Sequence, residues 1–116
     1  MKLLFVLNDP PYGTERAYNA LRLVLALGKR GGMEIKIFLM ADAVGCARAG
    51  QQTPDGTYNV ERMVRGCVTK KVEVGTCGTC MDARGLADED LTAGVRRSSM
   101  AELADWTVWA DKVLVW

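Results

Sequence analysis

Apolar and polar positions along the chain switch repeatedly between two periods. Residues 3–7 are an unbroken apolar run closed by Asn8-Asp9-Pro10-Pro11, the mark of a strand buried on both faces. After the turn through Gly13, Thr14 is placed to cap a helix. In that helix Ala17, Ala20, Leu21, Val24, Leu27 and Gly28 recur at helical spacing, and Gly31-Gly32 ends it. Ile35, Ile37, Phe38 and Leu39 predict a second buried strand. Residues 45–56 carry no period and read as a long loop with room for one helical turn, a kind of segment more often functional than idle. Val60, Met63, Val64 and Cys67 then step along a second helix, and residues 71–74 form a short third strand.

Cys77-Gly78-Thr79-Cys80 follows that strand and opens a short helix that Gly85 ends. Residues 88–91 suggest one more helical turn, and residues 95–98 a short fourth strand. Ser99 and Glu102 have capping-box spacing, starting a helix with Met100, Leu103, Ala104, Thr107 and Val108 as apolar positions. Residues 112–116 are a last strand. Alternation of strand and helix without repeats predicts a three-layer α/β/α fold around a mainly parallel five-stranded sheet, in one domain spanning residues 1–116.

Composition narrows the function classes. An apolar share of 49% and a charged share of 25% over 116 residues describe an ordinary folded domain that needs no disulfide or metal to hold it. The net charge is +1 and neither half is strongly basic, so no basic arm is expected to bind nucleic acid. The first apolar run is far shorter than the roughly 20 residues of a membrane span, and Asn8-Asp9-Pro10-Pro11 closes it too early for a signal peptide to be expected. A cytoplasmic protein with reduced thiols and no membrane partner is therefore expected. Histidine is absent, which leaves chemistry to cysteine, carboxylates, Lys, Arg and backbone amides.

In a parallel sheet, sites lie beyond the carboxyl ends of the strands. The loops at residues 8–13, 42–56, 75–80 and 98–99 reach that edge. Cys77 falls in the third of these, where a helix begins and where a thiolate is favoured over a thiol. Arg84 lies about two helical turns on, within range of assisting by charge. Cys80 has Cys-x-x-Cys spacing and faces the same way; it is either the redox partner of Cys77 or a small residue packing the helix. Cys67 belongs to the core face of its helix, and Cys46 reads as a packing residue of the long loop. Only one close cysteine pair exists, so structural zinc is not expected. The pair follows the third strand, not the first as in thioredoxin-like folds, and no phosphate-binding glycine pattern is present. No metal and no cofactor are expected. Trp106 and Trp109 lie off the stripe of Leu103, Ala104 and Thr107, which suggests a subunit contact that Trp116 could join.

Taken together, Asn8-Asp9-Pro10-Pro11-Tyr12-Gly13-Thr14-Glu15-Arg16-Ala17, Gly50-Gln51-Gln52-Thr53-Pro54, residues 77–86 and Ser98-Ser99-Met100-Ala101-Glu102-Leu103 resemble the DsrE/DsrF-like family, over the whole chain. The resemblance implies a compact α/β/α domain assembling as a homotrimer or homohexamer. It also implies a sulfurtransferase-like role, in which a loop cysteine accepts sulfane sulfur from a donor protein and passes it to an acceptor protein. The persulfide position falls on Cys77, with Cys80 as an additional cysteine that could resolve it. Asn8, Asp9, Tyr12 and Gln51 are expected to line the approach. The alternative is a small-molecule-binding or redox-sensing oligomeric module that transfers no sulfur.

Overall fold

The computed structural model describes residues 1–116. Five strands, β1 (Lys2–Leu7), β2 (Glu34–Leu39), β3 (Glu73–Cys77), β4 (Val95–Ser98) and β5 (Lys112–Val115), form one sheet in the order β4-β3-β2-β1-β5. Every neighbouring pair is parallel, so all the carboxyl ends meet at one edge. Four α-helices connect them: α1 (Arg16–Arg30), α2 (Val60–Thr69), α3 (Gly78–Ala83) and α4 (Met100–Trp109).

The pleat sorts the side chains into two cores, because successive residues of a strand point to opposite faces. Leu3, Phe5, Leu7, Ile37, Leu39 and Val74 pack with Ala17, Leu21 and Val24 of α1 and Val64 and Cys67 of α2. On the other face Leu4, Val6, Phe38 and Cys77 pack with Met81 of α3, Leu86 and Trp106 of α4. This is the three-layer arrangement the alternating pattern predicts, with the sheet entirely parallel.

Three local features depart from the sequence reading. Helix α1 starts two residues after Thr14, whose hydroxyl accepts a 3.3 Å bond from the Arg16 amide, and Glu15 occupies the capping position without a side-chain bond. The long loop is more ordered than its aperiodic sequence suggests, with 3₁₀ turns at Ala41–Ala47 and Pro54–Gly56. Of the capping box at α4, only one half forms: Ser99 accepts from the Glu102 amide, while the Glu102 carboxylate turns to Arg96 and Ser98.

Trp106 requires a correction. It is 5% exposed, not on a subunit face, and its ring meets Phe38 edge-on with centroids 6.1 Å apart. The inward face of α4 runs Leu103, Trp106 and Ala110, whereas Ala104 and Thr107 face outward. Gly75 makes room for the ring, since a Cβ there would lie 3.1 Å from both Trp106 Cη2 and Ser98 Cβ. Trp109 is half-buried beneath Lys36, whose ammonium sits 4.3 Å from the ring centroid.

Candidate functional site

Cys77 ends β3 instead of sitting in a loop beyond it, and the next residue begins α3. Strand pairing sets its neighbour: Cys77 lies opposite Ser98, the last residue of β4. The side chain is only 4% exposed, packed with the Met81 and Trp106 cluster. It opens on one hollow of about 280 Å³ at the rim, lined also by Gly78, Thr79, Asp82, Arg97, Ser98, Ser99 and Met100. Glycine is needed at position 78. A Cβ there would stand 2.7 Å from Arg97 Nη1 and 3.1 Å from the Ser98 carbonyl oxygen. Its absence lets Arg97 reach across to donate to the Gly78 carbonyl at 3.1 Å.

The four thiols differ sharply in ionisation. Burial raises Cys77, but hydrogen bonding from the Thr79 hydroxyl, the Cys80 thiol and the Cys80 and Thr79 amides outweighs it, and the net result is a thiol below its ordinary value. Cys77 Sγ lies 3.2 Å from Thr79 Oγ1. Cys80 moves the other way: burial and its interaction with Cys77 raise it, opposed by the Ala41 amide and the charge of Arg84. Burial pushes Cys46 and Cys67 up to about 12. Between the two sulfurs at the rim, Cys77 therefore ionises first while Cys80 keeps its proton.

Cys80 is fixed from a second element. The Ala41 amide donates to Cys80 Sγ at 3.2 Å, and Ala41 holds a left-handed φ of 51° there. That conformation costs an alanine about 1 kcal/mol. Arg84 is committed to this brace and not to Cys77. Its Nε and Nη2 donate to Asp42 at 3.0 and 2.9 Å, and its Nη1 to the Cys80 carbonyl at 3.1 Å.

The remaining sequence candidates sit elsewhere along the edge. Asn8 donates to the Trp116 carbonyl at 3.3 Å and so latches β1 to the end of the chain. Asp9 takes a 3.3 Å bond from the Thr14 hydroxyl and pairs with Arg16 at 3.4 Å. Tyr12 donates to Gln51 Oε1 at 2.5 Å and accepts from the Val60 amide. Gln51 ties the loop together, donating to the carbonyls of Gly45, Cys46 and Arg48. Tyr12 lines a separate hollow with Pro11, Tyr18 and Tyr58. Sequence reasoning missed Thr79, Arg97 and Ala41. Only the spacing of Thr79, two residues beyond Cys77, offered a signal.

Comparison with known proteins gives this geometry a family. The model of the DsrE/DsrF-like family matches residues 1–116. The chain belongs to that family. It is 40% identical to Protein YchN of Escherichia coli over 114 residues, 97% of each chain. It is also 40% identical to an uncharacterized protein of Methanopyrus kandleri over 109 residues, covering 94% of this chain and 88% of that one. The crystal structure of the E. coli YchN protein superposes with a TM-score of 0.94 at 39% identity, over 100% of this chain and 99% of that one. A protein of unknown function from Methanobacterium thermoautotrophicum shares the fold, with a TM-score of 0.80 at 15% identity over 98% and 97% of the two chains. No helix here is long and apolar enough to cross a membrane.

Proposed function

We propose that this DsrE/DsrF-like protein is a persulfide carrier in which Cys77 accepts a sulfane sulfur and passes it on. The observation that carries the reading is an ionisable sulfur at the carboxyl edge of the sheet, the one thiol whose surroundings favour its anion, opening on a small hollow. The Cys77 thiolate attacks the outer sulfur of a donor persulfide R–S–SH. The S–S bond of the donor breaks, its electron pair leaves as R–S⁻, and Cys77–S–SH forms. An acceptor thiolate takes the outer sulfur by the same exchange, regenerating the Cys77 thiolate. Where no acceptor arrives, Cys80 can give up its proton to solvent and attack Cys77 Sγ as the thiolate; the Cys77 S–S bond breaks, HS⁻ leaves, and a Cys77–Cys80 disulfide remains. Donor and acceptor would be proteins of a reducing compartment such as the cytoplasm.

The carrier would act as a homotrimer or homohexamer. Helix α4 is apolar on its outer face as well as its inner one, with Met100 and Val108 exposed, the latter 88%. Val113 and Val115 of the edge strand β5 pair with Leu4 and Val6, so they emerge on the same face of the sheet, also exposed. Such a surface suits a second copy of the chain better than water.

A redox-sensing module is the second reading, favoured by the proximity of Cys80. One experiment separates the two: reduced protein is incubated with a small persulfide donor and weighed intact. Wild type should gain one sulfur and Cys77→Ser none, while Cys80→Ser should gain it and release no sulfide. Equal gain in wild type and Cys77→Ser, or none in either, rejects the carrier.

A further inference from the structure

The hollow beside Cys77 contains three hydroxyls, one guanidinium and one carboxylate, and the hydrogen bonds show which are free to act on the sulfur. Ser98 donates its proton to Glu102 Oε1 at 2.5 Å. The Ser99 oxygen caps α4 by accepting from the Glu102 amide. Arg97 donates to three acceptors, Asp88 at 2.6 Å, Asp82 at 3.0 Å and the Gly78 carbonyl at 3.1 Å, which hold it across the mouth of the hollow. Thr79 remains. Its hydroxyl lies 3.2 Å from Cys77 Sγ and makes no other side-chain bond.

We propose that Thr79 is the residue that activates Cys77, its hydroxyl donating a hydrogen bond to the sulfur in the ionised state. Donor and acceptor are interchangeable while Cys77 carries its proton, because a thiol and a hydroxyl can each play either part. Once the proton has left, the sulfur only accepts and the hydroxyl must donate. The bond then becomes charge-assisted, and such bonds are roughly twice as strong as neutral ones. The contact therefore stabilises the thiolate more than the thiol. Position 79 achieves this because Cys77 caps α3 and Thr79 is the second residue of that helix, where its side chain can turn back toward the strand end. The side chain is exposed, so removing its hydroxyl leaves no hole in the core.

Other charged groups facing Cys77 are already paired. Asp82 of α3 and Arg97 of β4 bind each other, Arg84 binds Asp42 of the 3₁₀ turn, and Glu102 of α4 binds Arg96. On β2, Lys36 pairs with Glu73 at the opposite end of β3. Cys80 interacts with Cys77 directly, through a side-chain hydrogen bond and through charge.

The inference rests on the carrier reading for its purpose, but it is tested on the thiol alone. Wild type, Thr79→Val and Thr79→Ser are alkylated with iodoacetamide across a pH series, and modification of the Cys77 peptide is followed by mass. Thr79→Val should move the midpoint of the rate profile upward and slow alkylation at neutral pH roughly three- to tenfold, since lost thiolate outweighs gained nucleophilicity. Thr79→Ser should restore the wild-type profile. A Thr79→Val profile that superposes on wild type overturns the proposal, as does a Thr79→Ser profile as slow as that of Val. Sulfur uptake is measured separately on wild type. An alkylation shift without any uptake sustains Thr79 and rejects the carrier, and uptake without a shift does the reverse.

Discussion

Four cysteines of one chemistry behave in two ways because the fold gives each a different set of donors. Cys46 and Cys67 sit in the α1/α2 core without enough donors to offset burial, and both are pushed up to about 12. In the unfolded chain they ionise near 9.0. From about pH 9 to 12 the folded protein thus keeps protons that the unfolded chain releases, so stability is intact below that window and falls as pH rises through it. The slope is up to about 1.4 kcal/mol per pH unit for each thiol. Thermal unfolding followed across this range should show that decline, and Cys67→Ala should make it shallower. Parallel declines in the two proteins would contradict the assignment. The place of Cys77 beside a helix start was legible from the sequence. Its donors were not, because Thr79 looks like any helical threonine until the turn of the backbone aims it.

Among the elements, the strands were the most legible, since runs such as residues 35–39 have no solvated alternative that buries them. Boundaries were less so. Gly75 and Thr76 interrupt the apolar pattern, and the third strand therefore reads as ending at residue 74, yet both pair with β4 and carry the strand to Cys77. Gly75 is small because Trp106 stands over it, a constraint from an element 31 residues away in the chain. The same long-range packing hid the orientation of α4. Trp106→Ala should cost about 3–5 kcal/mol in chemical denaturation, the usual range for a buried aromatic, and Trp109→Ala markedly less. Similar losses from the two would place both rings in the core.

For the whole molecule, the surface on α4 and β5 is the feature that a single copy leaves unexplained. The sequence pointed to Trp106 and Trp109 of this helix for a subunit contact, and of these Trp106 turns inward. Val108, at 88% exposure, is the better probe. Val108→Glu should lower the mass measured by light scattering while leaving the circular dichroism spectrum unchanged. An unchanged mass would remove α4 from the interface.

The claim at the centre is that one sulfur atom travels by way of Cys77. The most direct measurement loads reduced wild-type protein from a persulfide donor, removes the donor, traps the product by alkylation and maps the extra sulfur by peptide mass, before and after addition of an acceptor thiol. We expect one added sulfur on the Cys77 peptide, disappearing as the acceptor gains it. Added sulfur spread over other cysteines, or fixed on Cys77 and never released, would contradict the claim.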